Sequence, residues 1–234
     1  MKKIIVTGPA RGLGLAISQR LTSEGYQVIG IGRKNSDAFT SLERSEFIEF
    51  DLEHVDEIHR LVKKIKKEHG AIYGLVNNAG LGLDGVLATM HASEIRKVLN
   101  VNLLAAITMT KYVSRSMLEQ AEGRIVNISS IIASTGYSGL SVYAASKAGL
   151  EGFTRSFSRE VGKLGICVNC VAPGYMETDM TAGLEGDKLE SVRRRAPKGL
   201  PRVEDAAGAV FYLLSPDGEK ITGSVITVDG GATA

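Results

Sequence analysis

Short apolar runs near residues 2–6, 27–31, 46–50, 72–76, 124–128, 166–171 and 225–228 alternate with longer segments in which apolar residues recur at helical spacing. Strand-sized runs alternating with amphipathic helices predict an α/β fold. The expected architecture is one doubly wound parallel sheet of about seven strands, with helices on both faces and right-handed crossovers. No linker, internal repeat or low-complexity segment interrupts the pattern, so residues 1–234 are expected to form a single domain. The rhythm breaks at about 174–201, a polar, charged, glycine-containing stretch that follows the carboxyl end of a strand. Open α/β sheets bind ligands at such ends, and long irregular stretches in small domains are usually functional. A mobile substrate lid is expected there, with a plain surface excursion as the alternative.

The first strand runs into Thr7, Gly8, Pro9, Ala10, Arg11, Gly12, Leu13 and Gly14, and a helical pattern continues through Ile17 and Leu21. Strand, glycine-rich turn and helix together predict a phosphate-binding turn. Glycines let the backbone approach a pyrophosphate, and the N–H groups opening the helix face the anion. The spacing Gly-x-x-x-Gly-x-Gly departs from the commoner Gly-x-Gly-x-x-Gly, and a tight connection without a ligand is the alternative. The second strand, about Gln27–Gly32, ends where an acidic residue would hold an adenosine ribose 2′-hydroxyl. Arg33 and Lys34 stand there instead, and Arg11 projects from the first turn. A guanidinium suits a 2′-phosphate through paired, charge-assisted hydrogen bonds, so NADP(H) is expected in preference to NAD(H). A solvated basic loop would read the same way.

Tyr143 and Lys147 are separated by one helical turn in Tyr-Ala-Ala-Ser-Lys, with Ser130 thirteen residues upstream. Residues i and i+4 share a helix face, so phenol and ammonium can point into one pocket. A free tyrosine keeps its proton until about pH 10. A neighbouring ammonium is expected to stabilise the phenolate, bringing proton exchange within reach of neutrality. The same spacing also occurs on ordinary half-buried helix faces.

The turn Thr7–Gly14, Asn77-Asn-Ala-Gly80, Asn100-Val-Asn102, Ser130, Tyr143-x-x-x-Lys147 and Pro173-Gly174 occur in this order along nearly the whole chain. The set resembles the single-domain short-chain dehydrogenases/reductases, with a Rossmann-type sheet. The segments Gly165-Ile-Cys-Val-Asn-Cys-Val-Ala-Pro-Gly-Tyr-Met-Glu-Thr-Asp-Met180 and Ile221-Thr-Gly-Ser-Val-Ile-Thr-Val-Asp-Gly-Gly231 are most similar to the bacterial 3-oxoacyl-thioester reductases within that family. The resemblance implies Asn102, Ser130, Tyr143 and Lys147 as the catalytic set. Asn102 would help hold a relay water, Ser130 would hydrogen-bond the substrate carbonyl, and Tyr143 would deliver the proton. Lys147 would lower the tyrosine pKa and bind the nicotinamide ribose. For the cofactor it implies Thr7, Gly8, Arg11, Gly12, Leu13 and Gly14 at the phosphates and Arg33 at the 2′-phosphate. Asp51 and Leu52 would lie by the adenine, with Asn78, Ala79 and Gly80 along the cofactor. Pro173, Gly174 and Thr178, with Tyr143 and Lys147, would complete the cofactor-binding set.

Composition narrows the partners. Charged residues make up 23% and the net charge is only +2, so no nucleic-acid or membrane partner is expected. The apolar stretch after Lys2 and Lys3 is too short for a signal peptide, and a cytoplasmic location is the default expectation. Cys167 and Cys170 have Cys-x-x-Cys spacing but lie within a predicted buried strand, where positions three apart face opposite sides, so they are expected to pack rather than react. Histidines 54, 59, 69 and 91 form no ligand spacing with them, and no metal is expected.

An acyl-carrier protein as partner would meet a diminished basic footprint. Ala121 and Leu164 stand where the similar reductases carry arginines for that acidic protein, and Lys163 and Arg124 are the nearby residues that could compensate. Arg193, Arg194 and Arg195 could meet the phosphates of a thioester's pantetheine or coenzyme A, or simply be solvated. Gly199-Leu200-Pro201-Arg202 alters the usual Gly-Arg pairing after the lid. Three functions compete: an NADPH-dependent 3-oxoacyl-thioester reductase, a reductase or dehydrogenase of a small ketone, sugar or secondary metabolite, and a non-enzymatic nucleotide sensor. The resemblance also implies a homodimer or homotetramer, assembled through long helices near 92–119 and 142–163.

Overall fold

A computed structural model of the protein describes residues 1–178, 181 and 186–234, without the side chain of Lys188. Its first half places β1 (Lys3–Thr7), α1 (Gly12–Ser23), β2 (Gln27–Gly32), α2 (Asp37–Thr40), β3 (Ser45–Glu49), α3 (Ile58–His69) and β4 (Gly74–Asn77) in succession. Helices α4 (Ala92–Leu99) and α5 (Ala105–Gln120) follow, then β5 (Gly123–Ile128), α6 (Ile132–Thr135) and α7 (Ser141–Val161). The chain ends through β6 (Ile166–Pro173), α8 (Gly186–Arg195), α9 (Val203–Leu214) and β7 (Val225–Val228). All strand pairs are parallel, in the order β3-β2-β1-β4-β5-β6-β7. The expected seven-stranded doubly wound α/β sheet is the one observed.

Covering both faces explains why β5 and β6 are buried along their full lengths. Alternate residues of β1 divide between two cores. Ile4 and Val6 pack with Ile17 and Leu21 of α1 and Val210 and Leu213 of α9. Ile5 turns to the opposite face, among Ile58 and Ile65 of α3 and Met109 and Val113 of α5. The connections reverse direction between β1 and β4, opening a crevice beyond the ends of these strands.

The helix expected over about 92–119 is interrupted. Residues Asn100–Leu104 form a π-helical turn between α4 and α5, which repositions Asn102. The strand expected at 72–76 begins at Gly74 and extends to Asn77, which continues the register opposite Asn127. The stretch expected to be irregular from 174 to 201 contains α8; residues 179, 180 and 182–185 of that stretch lie outside the described residues.

Candidate active site

The site lies where the carboxyl ends of β4 and β5 meet α7. Ser130 follows β5, and Tyr143 and Lys147 occupy the first two turns of α7. Ser130 accepts a bond from Ile132 N at 3.3 Å, and its hydroxyl lies close enough to the Tyr143 phenol to lower that group's pKa. Lys147 is only 3% exposed. Its Nζ lies 5.6 Å from the centre of the Tyr143 ring and donates to the Ile128 carbonyl at 2.7 Å. That carbonyl ends β5, so the ammonium caps the strand from inside the cleft.

Burial sets the electrostatics of the pair. It holds the Lys147 ammonium down at about 8, with nearby Cys170 acting weakly in the opposite direction. Burial also raises the Tyr143 pKa, against a smaller lowering by the Ser130 hydrogen bond. The expected lowering of the tyrosine pKa by Lys147 is therefore not found. The ammonium is directed at Ile128 O, and the walls that strip water from it also strip water from the phenol.

The Asn102 side chain is engaged by the loop after β4 and by α7. From the π-helical turn its Oδ1 accepts from Leu81 N at 2.7 Å, while Nδ2 donates to Leu81 O at 2.9 Å and to Ser146 Oγ at 3.2 Å. It thereby fastens the loop after β4 to α7. A Cβ added at Gly80 would lie 3.5 Å from both Asn102 Oδ1 and Lys147 Nζ, so Gly80 borders both catalytic candidates.

A family profile described as short chain dehydrogenase matches residues 2–189. The chain belongs to the short-chain dehydrogenase family. It is accordingly an NAD(P)-dependent oxidoreductase acting on CH–OH and C=O groups, which sets aside the nucleotide-sensing alternative. Across 98% of its length it is 39% identical to a Vibrio harveyi protein described as 3-oxoacyl-[acyl-carrier-protein] reductase FabG, of which it covers 96%. A Mycobacterium bovis protein described as 3-oxoacyl-[acyl-carrier-protein] reductase MabA is 38% identical, over 98% of this chain and 92% of its own. A crystal structure from Beutenbergia cavernae, provisionally assigned as an NAD(P) dependent gluconate 5-dehydrogenase with NADP at low occupancy, superposes with a TM-score of 0.95. The two sequences are 30% identical, and the match covers 99% of this chain and 96% of that one.

The glycine turn of this short-chain dehydrogenase fits a dinucleotide pyrophosphate. Gly8 and Gly12 adopt φ of +66° and +52°, and a Cβ at Gly14 would overlap the Gly8 carbonyl and crowd Asn78 Nδ2 at 2.6 Å. Asn78 Nδ2 braces the turn by donating to Thr7 O and Gly8 O at 2.9 and 3.1 Å, and Thr7 Oγ1 accepts from Asn78 N and Ala79 N. The N-terminus of α1, which starts at Gly12, has no side-chain cap and no acidic residue in its first turn, leaving it suited to an anion. Thr178 Cγ2 would lie 3.8 Å from a Cβ at Gly12, so the segment following β6 faces the turn.

Arg33 and Lys34 are exposed at the end of β2. Their loop is tied to the glycine turn carrying Arg11 by Ser36 Oγ donating to Ala10 O at 2.7 Å. Asp51 accepts from Glu53 N at 3.0 Å, shaping the turn beyond β3, whereas Leu52 is buried in the core. Gly174, just after Pro173, donates to Val228 O at 2.9 Å, and a Cβ there would press on Asp229.

The basic residues proposed to compensate for the missing arginines separate. Lys163 is exposed, but Arg124 is 5% exposed, with its guanidinium 5.8 Å from the Tyr73 ring. Arg124 belongs to β5, an interior strand between β4 and β6, and is buried there, so it offers no surface charge. Arg193 is paired with Glu177 and Glu190 at 3.0 and 3.1 Å and lines an open pocket of about 570 Å³ together with Leu200, Pro201 and Arg202. Ser130, Tyr143 and Lys147 do not line it.

Sequence reasoning missed a buried polar chain beneath the site. Asn77 Nδ2 donates to Asn127 Oδ1 at 2.8 Å, and Asn127 Nδ2 donates to Thr154 Oγ1 at 2.8 Å. Thr154 Oγ1 in turn contacts Cys170 Sγ at 3.1 Å, giving that cysteine a packing role on α7. Asparagines inside a strand-like run were the available signal, because a buried amide requires partners.

Proposed function

We propose that the protein is an NADPH-dependent reductase of 3-oxoacyl thioesters, with Asn102, Ser130, Tyr143 and Lys147 as its catalytic set. The observation that carries the reading is the placement of a buried Lys147 5.6 Å from the Tyr143 ring, with the Ser130 hydroxyl on the adjoining end of β5. NADPH, when bound, supplies a hydride to the carbonyl carbon. Ser130 then donates a hydrogen bond to the carbonyl oxygen as negative charge develops there, its own oxygen oriented by Ile132 N. Tyr143 delivers the proton; its raised pKa keeps that proton in place at neutral pH until the oxyanion forms. Lys147 supplies positive charge and a donor toward the cofactor ribose, and Asn102 holds the Leu81 loop against α7. The residues around the glycine turn, with Arg11 and Arg33, favour NADP(H).

The thioester reading is supported by the near full-length similarity to proteins described as 3-oxoacyl-[acyl-carrier-protein] reductases. Loop chemistry agrees. Gly85 N donates to Gly139 O at 2.9 Å, bridging the loops after β4 and β5, which expose Val86, Leu87 and Tyr137. Asp84 is the single charged residue in 81–90 and 131–140, a setting suited to an apolar acyl chain rather than a sugar acid. Exposed, uncharged Ala121 and Leu164 weaken the case for an acyl-carrier protein, so coenzyme A thioesters are included. No described helix is long and apolar enough to cross a membrane. We place the enzyme in the cytoplasm as a homodimer or homotetramer joined through α5 and α7, with 174–201 acting as the substrate lid. Similarity to the Beutenbergia cavernae structure, described as a gluconate 5-dehydrogenase, favours the second reading, a reductase or dehydrogenase of a small ketone, sugar or secondary metabolite.

The test is NADPH oxidation across 3-oxoacyl thioesters on coenzyme A and on carrier protein, free ketones and sugar acids, with Tyr143→Phe in parallel. Turnover confined to thioesters and abolished in the variant, with NADPH affinity retained, is the expected result. Turnover of ketones or sugar acids alone would overturn the substrate assignment, and strong activity of Tyr143→Phe would overturn the proton donor.

A further inference from the structure

Glu151 is a largely buried carboxylate for which the reaction described above has no use. It sits on α7 one turn beyond Lys147 and two beyond Tyr143, and its side chain is 14% exposed. Its Oε1 accepts from Ser129 Oγ at 2.7 Å. Ser129 is 2% exposed and immediately precedes Ser130. From this pairing we infer that Glu151 is a positioning residue, setting the separation of Ser130 from Tyr143 and Lys147 through the Ser129 hydroxyl. The inference rests on the proposed reductase chemistry of that site.

A serine hydroxyl has one proton to give, and two acceptors lie near it. Lys147 O is 3.5 Å away and the Glu151 carboxylate 2.7 Å, a length typical of a charge-assisted bond. The proton therefore goes to Glu151. Backbone bonds from Ser129 N to Val171 O and from Ile131 N to Pro173 O fix the segment around Ser130 against β6, while Lys147 Nζ to Ile128 O and Asn127 Nδ2 to Thr154 Oγ1 hold the strand before it against α7. Neither backbone bond relates Ser130 to the helix that carries its partners. Of the side-chain bonds that join β5 to α7, the Ser129–Glu151 bond is the one made by the residue adjoining Ser130, on the helix face that also presents Lys147. Arg155 Nη1, 3.7 Å from Glu151 Oε2, is half exposed and adds little constraint. Hydride and proton transfer depend steeply on such distances, so slackening this tie is expected to slow the chemical step while leaving cofactor binding alone.

The test uses the NADPH-saturated enzyme and acetoacetyl-coenzyme A, with Glu151→Ala, Ser129→Ala, their double variant and Glu151→Gln. The expected result is a fall in kcat of about tenfold in each single alanine variant, with KM for NADPH within about twofold. The double variant should be no slower than either single one, because both remove the same bond. Glutamine keeps an acceptor oxygen in place and should restore kcat to within about twofold of wild type. Unchanged kcat in Glu151→Ala, even with a lowered urea midpoint, would overturn the inference and reduce the bond to a structural tie. Additive losses, or no rescue by glutamine, would overturn it as well. If wild type ignores acetoacetyl-coenzyme A but reduces another carbonyl compound, the thioester reading fails alone and the same variants are compared on that compound. Wild-type inactivity toward every carbonyl would overturn the reductase reading and this inference together.

Discussion

Replacing Lys147 by methionine is expected to abolish turnover while leaving the protein as stable as wild type near pH 7, or more so. The reasoning starts from burial: the ammonium titrates at about 8 in the fold, against an ordinary value of 10.5. That depression corresponds to about 3 kcal/mol of native-state cost for carrying the charge. The unfolded chain holds this proton more tightly, so between about pH 8 and pH 10.5 it binds more protons than the folded chain. Stability contributed by this group therefore rises with pH across that window, and the cost is present in full below about 8. Methionine retains an unbranched apolar stem and removes the charge, but it leaves Ile128 O without its donor, a loss of about 1–3 kcal/mol. The balance near pH 7 lies between no change and about 2 kcal/mol in favour of the variant. Near pH 10.5 the neutral amine still bonds Ile128 O, and wild type should be the more stable.

Urea unfolding of both proteins at equal protomer concentration, from about pH 7 to pH 10.5, reads this difference directly. Groups common to both proteins cancel in the comparison, which isolates residue 147. A stability gap that stays flat across that range would refute the claim that Lys147 is held charged against a desolvation cost. A variant much less stable than wild type near pH 7 would refute it equally.

Arg33→Ala should weaken NADPH binding by about 10- to 100-fold and NADH binding by less than about twofold, as measured by titration; equal losses would remove the 2′-phosphate assignment. Asn102→Ala strips both backbone groups of Leu81 of their partners, at a cost of about 2–4 kcal/mol. Calorimetry should record a fall in Tm of roughly 5–10 °C together with reduced activity. Lost activity at unchanged Tm would instead make Asn102 a participant in the chemistry rather than a loop anchor.

Local pattern carried most of the fold. Strand-length apolar runs between helical segments suffice for a parallel sheet, because a sheet covered on both faces needs apolar residues at consecutive positions, as along β6. Glycines at 8, 12 and 14 were equally legible, since positive φ and close backbone approach exclude other residues. Spacing put Tyr143 and Lys147 on one helix face, and motif order linked them to Ser130.

The π-helical turn at Asn100–Leu104 could not be read this way. The local sequence continues a helical pattern, and the bonds that Asn102 makes run to Leu81 and Ser146, 21 and 44 residues away. Arg124 looked available for a partner because it is charged, and only the packing around Tyr73 shows it buried. The carboxylate of Glu151 finds Ser129 only once α7 lies against β5. The sequence by itself thus determined which residues could carry the chemistry, because residue type and short spacings are local properties. The tertiary structure decided their charge states and anchoring: Lys147 is depressed to about 8, Tyr143 raised and Asn102 turned to a loop, because desolvation and long-range hydrogen bonds exist only in the packed chain.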